Sequence, residues 1–143
     1  MSSKHPVYIL DSFAVLAYLN DEIGMARIQA VLREASRGQC QVMLSIINLG
    51  EEIYIAEREV GLAKAQEVLA TLEQLPISIL PSTNDTVLSA AHIKANHRLS
   101  YADAFAVVAA QENGGVLLTG DPEFQAVQDM IGIEWLKLRI ASQ

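Results

Sequence analysis

The chain has 143 residues, 51% apolar and 19% charged, with a formal net charge of −7; this is one globular domain with a sizeable core rather than a disordered chain, and its acidity argues against broad, non-specific nucleic-acid binding without excluding a nuclease whose acidic site a metal would neutralise. The longest apolar runs, 13–19 and 104–110, are too short to cross a bilayer, and no apolar segment stands behind Met1-Ser2-Ser3-Lys4-His5-Pro6 to suggest a signal peptide. Cys40 is the only cysteine, so no internal disulfide forms, which fits a reducing cytoplasm.

In chain order, Val7-Tyr8-Ile9-Leu10 reads as a strand ending at Asp11, and the apolar run 13–19 as a short helix. An amphipathic helix is expected over 22–37 and a strand over 41–44, where Cys40 is a packing residue. A helix over 46–59 stops before Gly61, and Leu62, Ala65, Val68, Leu69, Leu72 and Leu75 give the stripe of the next. A strand over 77–80 is followed by helices over 85–95 and 101–112, the second stopped by Asn113-Gly114-Gly115. A strand over 116–119, a short helix after Asp121-Pro122 and a weak strand over 133–136 complete the pattern. There is no repeat, linker or low-complexity tract. Strands alternating with helices predict a single α/β domain over 1–143, with a mostly parallel five-stranded sheet flanked by helices.

Four carboxylates leave this frame from apolar elements: Asp11, Glu51, Asp103 and Asp121. Burying such groups is costly unless they are paired or bind a metal, and an all-oxygen set suits Mg²⁺ or Mn²⁺. Asp11 and Asp121 directly follow predicted strands, the edge at which parallel sheets build sites. Each also has a capping reading. Asp11 could cap the helix over 13–19, or Ser12 could do so and free it; Asp121-Pro122-Glu123 is a good helix start. Ser100-Tyr101-Ala102-Asp103 resembles a capping box, yet the helix it opens is apolar through Ala110, so Asp103 faces the interior or a cleft. Glu51 and Glu52 cannot be ranked on helical spacing alone.

The remaining polar residues carry less. His92 and His97 have no metal-ligand spacing, and Ser12 and Ser45 have no histidine partner at diagnostic spacing. Gly114-Gly115 lacks the lysine of a phosphate loop. The tyrosines and Trp135 read as packing residues. Lys94, His97 and Arg98, with Asn96, form the densest basic cluster, just before Asp103. They read either as cations complementing a helix C-terminus or as contacts from Lys94 and Arg98 to RNA phosphates beside a metal site.

The segments Ile9-Leu10-Asp11-Ser12, Ser45-Ile46-Ile47-Asn48-Leu49-Gly50-Glu51, Leu99-Ser100-Tyr101-Ala102-Asp103-Ala104 and Leu118-Thr119-Gly120-Asp121-Pro122-Glu123-Phe124 resemble, in order and across nearly the whole chain, the PIN-domain family, in particular its VapC-type toxins of bacterial toxin–antitoxin pairs. The resemblance implies a five-stranded parallel sheet and a site for one or two Mg²⁺ or Mn²⁺ ions held by Asp11, Glu51, Asp103 and Asp121; its register selects Glu51 over Glu52. Ser12 and Thr119 would be accessory polar residues, and Glu123 varies in importance. It further implies a cytoplasmic homodimeric endoribonuclease acting on structured RNA, inhibited by a VapB-like antitoxin that lays a C-terminal segment across the active site. The alternatives are a PIN nuclease of RNA processing, a haloacid-dehalogenase-type phosphatase or a non-catalytic interaction domain. The phosphatase wants a second Asp where Phe13 stands, and the interaction domain would be expected to have lost some of the four acids.

Overall fold

The computed structural model describes residues 5–136. The strands are β1 (Val7–Leu10), β2 (Gln41–Ser45), β3 (Ser78–Leu80), β4 (Val116–Thr119) and β5 (Gly132–Trp135), and they form one sheet in the order β3-β2-β1-β4-β5. All four pairings are parallel, with Leu10 level with both Leu44 and Leu118. The expected α/β domain with a five-stranded sheet is therefore present. The helices are α1 (Ser12–Leu19), α2 (Met25–Ser36), α3 (Ile46–Glu59), α4 (Leu62–Glu73), α5 (Asn84–Asn96) and α6 (Tyr101–Asn113), with a 3₁₀ helix at Pro122–Val127. None of the described helices is long and apolar enough to cross a membrane.

Strand alternation divides the core between the two sheet faces. Ile9 and Leu117 pack with Ala90, Ile93, Phe124 and the apolar side of α6. Leu10, Val42, Leu44 and Leu118 pack with Val15 of α1, Ile28 and Val31 of α2, and Val68 and Leu72 of α4. Helix α6 lies against β1, β2, β4, α3 and α5. Its residues from Asp103 to Ala110 are all buried, which explains its nearly unbroken apolar sequence. Gly114, at a φ of 60°, ends it in the left-handed conformation that favours glycine.

Chain order runs outward from β1 to β2 and β3, then crosses back to β4 on the other side of β1. The crevice between the ends of β1 and β4 is thus the switch point at which open parallel sheets place their sites.

The expected helix over 22–37 begins later, at Met25. Gly24 has a φ of 104°, and Asp21 also adopts a positive φ, of 53°, so this segment turns before it can coil. The turn brings Gly24 against Leu136: a Cβ at Gly24 would stand 3.3 Å from Leu136 Cβ. Cys40 is buried, with Sγ donating to the Val31 carbonyl. Trp135, expected to pack, is 41% exposed. Gly24→Ala combines a disfavoured φ with this contact and is expected to cost about 1–3 kcal/mol. Thermal and urea unfolding of the variant check this; an unchanged midpoint would show that the turn tolerates a side chain.

Candidate metal and nuclease site

Asp11 is the residue at which β1 passes into α1. Its extended backbone makes it the N-cap: Oδ1 accepts from the Ala14 amide at 2.8 Å, while Oδ2 accepts from Thr119 Oγ1 at 2.6 Å. The side chain is 1% exposed. Asp11 thus caps and faces the crevice at once, and Ser12 is not the cap. The Thr119 hydroxyl, at the end of β4, also accepts from the Asp121 amide at 3.0 Å. One buried hydroxyl therefore links the acids at the ends of β1 and β4.

Asp121 caps the 3₁₀ helix, Oδ1 accepting from the Glu123 amide at 2.9 Å. Ser100 caps α6, its Oγ accepting from the Asp103 amide at 3.1 Å, and this first turn points Asp103 inward. Carboxylate oxygens of Asp103, Asp121 and Glu123 come within 4.8 Å of one another. Glu123 is therefore part of the closest acidic group, whereas Asp11 and Glu51 are not. Asp11 is nonetheless near enough for its charge to act on Asp103, and that of Asp121 to act on Asp11.

The fourth expected acid approaches from α3, which Ser45 caps. Glu51 is half-buried and its Oε1 accepts a short hydrogen bond from Ser12 Oγ. Asn48, one turn earlier and fully buried, donates from Nδ2 to the Ala102 carbonyl at 3.1 Å. It fastens α3 to the first turn of α6, and so holds the Glu51 and Asp103 elements together. Its Oδ1 has no hydrogen-bond partner among the described residues. Asn48 was not singled out in the sequence, although it stands three residues before Glu51 on the same helix face; Glu52 was weighed there only as the rival of Glu51. Glu52 is the more buried of the paired glutamates, at 5% exposed.

These acids are poorly compensated. Burial, helped by the neighbouring Asp121, pushes Asp103 up to about 7. Burial raises Asp11 to about 6, although the Thr119 and Ala14 hydrogen bonds oppose it. Burial and the charge of Glu51 bring Glu52 to about 7. The ion pairs among the described residues, Arg27–Glu134, Arg58–Glu59 and Lys64–Glu67, touch none of them. A set of hard oxygen donors, crowded enough to raise Asp11 and Asp103 and without a cation among the described residues, fits a hard divalent cation.

The PIN-domain family model matches residues 8–130, and the chain belongs to that family. No curated protein matches the sequence significantly. Among solved structures, the fold is similar to a chain of VapBC2 from Rickettsia felis bound to a promoter DNA fragment, with a TM-score of 0.73, 13% identity, and coverage of 92% of this chain and 99% of that one. A chain of DNA-bound VapBC from Salmonella typhimurium gives 0.71 at 19% identity, over 90% and 97% of the two chains. VapC20 from Mycobacterium tuberculosis, described as a toxin that cleaves the sarcin–ricin loop, gives 0.64 at 21%, over 84% and 94%.

The raised carboxyls predict how the metal-free protein responds to pH. Each keeps its proton in the folded state at a pH where the unfolded chain has lost it. Their contribution to stability is therefore present near the ordinary carboxyl values and is lost as pH rises toward 7. In chelator, Asp103→Asn is expected to melt a few degrees above the parent at pH about 8, the margin closing toward pH about 5. Melting curves across this range check it; a margin independent of pH would contradict the assigned repulsion.

Proposed function

We propose that this protein is a divalent-metal-dependent endoribonuclease and the toxin of a VapBC-type toxin–antitoxin pair. The observation that carries the reading is the convergence of uncompensated carboxylates on the switch point of a PIN fold. Cleavage of the sarcin–ricin loop by the similarly folded VapC20 supports RNA as the substrate. Asp11, Glu51, Asp103 and Asp121 are the residues assigned to hold Mg²⁺ or Mn²⁺, and Glu123 joins them on the evidence of its distance to Asp103 and Asp121. Bound there, the ion supplies positive charge to phosphoryl oxygens and lowers the pKa of water.

The chain's own groups prepare that site. Thr119 donates to Asp11, which keeps one carboxylate oxygen fixed and favours its charged form. Ser12 likewise holds one carboxylate oxygen of Glu51. Asn48 holds α3 against α6, so that the acids need not reorganise when phosphate arrives. No histidine belongs to this set: His97 Nδ1 lies 3.0 Å from the Ile93 carbonyl at the end of α5. The reaction assigned is attack of water on phosphorus, with the 3′ oxygen leaving, to give 5′-phosphate and 3′-hydroxyl ends.

The partner that fits is a VapB-like antitoxin, since chains of VapBC complexes share the fold. A groove of about 370 Å³ is lined by Leu16, Leu19, Ile55, Val60 and Val68 together with Glu52, Glu59, Lys64 and Glu67. It suits an apolar antitoxin segment continuing toward the acids. The toxin is assigned as a cytoplasmic homodimer, and light scattering of the purified protein at micromolar concentration is expected to give twice the chain mass; a monomer contradicts that assignment.

The direct test is cleavage of structured RNA by purified protein with Mg²⁺ or Mn²⁺. Asp103→Asn is expected to lower the rate by about a hundredfold or more while keeping the fold, because the near-isosteric amide loses the charge that holds the ion. Undiminished cleavage by this variant, or 2′,3′-cyclic phosphate ends, would reject the mechanism.

A further inference from the structure

The short connection between α5 and α6 carries charge that the acidic site does not use. Lys94 is in the last turn of α5 and Arg98 lies beyond its C-cap, His97. Both are exposed. With Ser100 they line an open cleft of about 550 Å³, which Pro122, Glu123 and Gln125 line from the 3₁₀ helix. Glu123 is itself in the acidic group with Asp103 and Asp121. The cleft therefore has cations along it and reaches the carboxylates.

Two observations separate these cations from an ordinary helix end. The last carbonyls of α5 already have partners: Asn96 Nδ2 donates to the His92 carbonyl at 2.9 Å, and His97 Nδ1 lies 3.0 Å from that of Ile93. Arg98 also follows a residue with extended backbone, outside the helix, and neither cation forms an ion pair among the described residues. The other unpaired cations of the described chain, Arg33 and Arg37, lie at the end of α2, before the start of β2. That is the sheet edge opposite the site, because every strand runs parallel. In a chain of net charge −7, a polyanion approaching the acids meets unpaired positive charge at this cleft.

We infer that Lys94 and Arg98 bind RNA phosphates flanking the scissile one, and that the cleft between the α5–α6 connection and the 3₁₀ helix is the path of the RNA strand into the site. This rests on the nuclease reading and deepens it: the two cations act as positioning residues, and the acids carry out the reaction.

The test measures equilibrium binding of a fluorescein-labelled RNA hairpin by anisotropy in Mg²⁺ across a salt series. It uses the Asp103→Asn protein with and without Lys94→Ala and Arg98→Ala. With both cations removed, affinity is expected to fall about 20-fold near 0.1 M salt, and the slope of log affinity against log salt to shrink by about 1.4, the release of two counterions from a single strand. Lys94→Arg with Arg98→Lys is expected to restore both, and in the otherwise unsubstituted protein the alanine pair is expected to raise KM for RNA more than it lowers kcat. Parental affinity and slope in the alanine pair would overturn the inference, as would an affinity loss with an unchanged slope. Failure of the parent to cleave RNA would instead count against the nuclease reading, while the anisotropy series still reports on the cleft.

Discussion

The hydrogen bond from Thr119 Oγ1 to Asp11 Oδ2, 2.6 Å long and fully buried, spans the ends of β1 and β4 where strand order reverses. A carboxylate at 1% exposure is an expensive thing to place there. The same hydroxyl receives the Asp121 amide, and the other Asp11 oxygen caps α1. The start of α1, the end of β4 and the entry to the 3₁₀ helix are thereby set relative to one another by two side chains. What the helices contribute follows from this: α6 brings Asp103 to the crevice, α3 brings Glu51, and Asn48 ties the two helices together.

The hydrogen bonds hold the acids in place and offset only part of the cost of their charge. Asp11, Asp103 and Glu52 remain raised, each first by burial and then by a neighbouring carboxylate. Natural domains retain such frustration where function requires it. A divalent cation bound there would convert the repulsion into binding energy, which would link the stability of this PIN domain to the chemistry proposed for it.

Much of this arrangement was legible in the sequence because it rests on rules of spacing. Asp11 and Asp121 stand immediately after apolar strands, and in a parallel sheet all strand ends of one kind share an edge. Asp103 interrupts an otherwise apolar helix, so its inward direction followed from periodicity. The start of α2 was not legible, because it depends on the left-handed Gly24 and its contact with Leu136, far away in the chain. Glu123 was left open for a related reason. Its approach to Asp103 depends on how a 3₁₀ helix, rather than an α-helix, follows Asp121. Glu51 and Glu52 were indistinguishable by helical spacing, and the structure gives them different surroundings: one meets Ser12, the other lines the groove between α1, α3 and α4. The relation of Lys94 and Arg98 to the site was readable only as proximity along the chain, since the opposing wall of their cleft comes from residues past β4.

The central claim is that these carboxylates form one cation site. The most direct measurement is the melting temperature of the purified protein titrated with Mn²⁺ from a chelated starting state, compared with Asp121→Asn, in which the amide can still cap the 3₁₀ helix. A saturable rise is expected for the parent, largely lost in the variant. A parent protein whose melting temperature does not respond to Mn²⁺, or an Asp121→Asn variant that responds as fully as the parent, would contradict it.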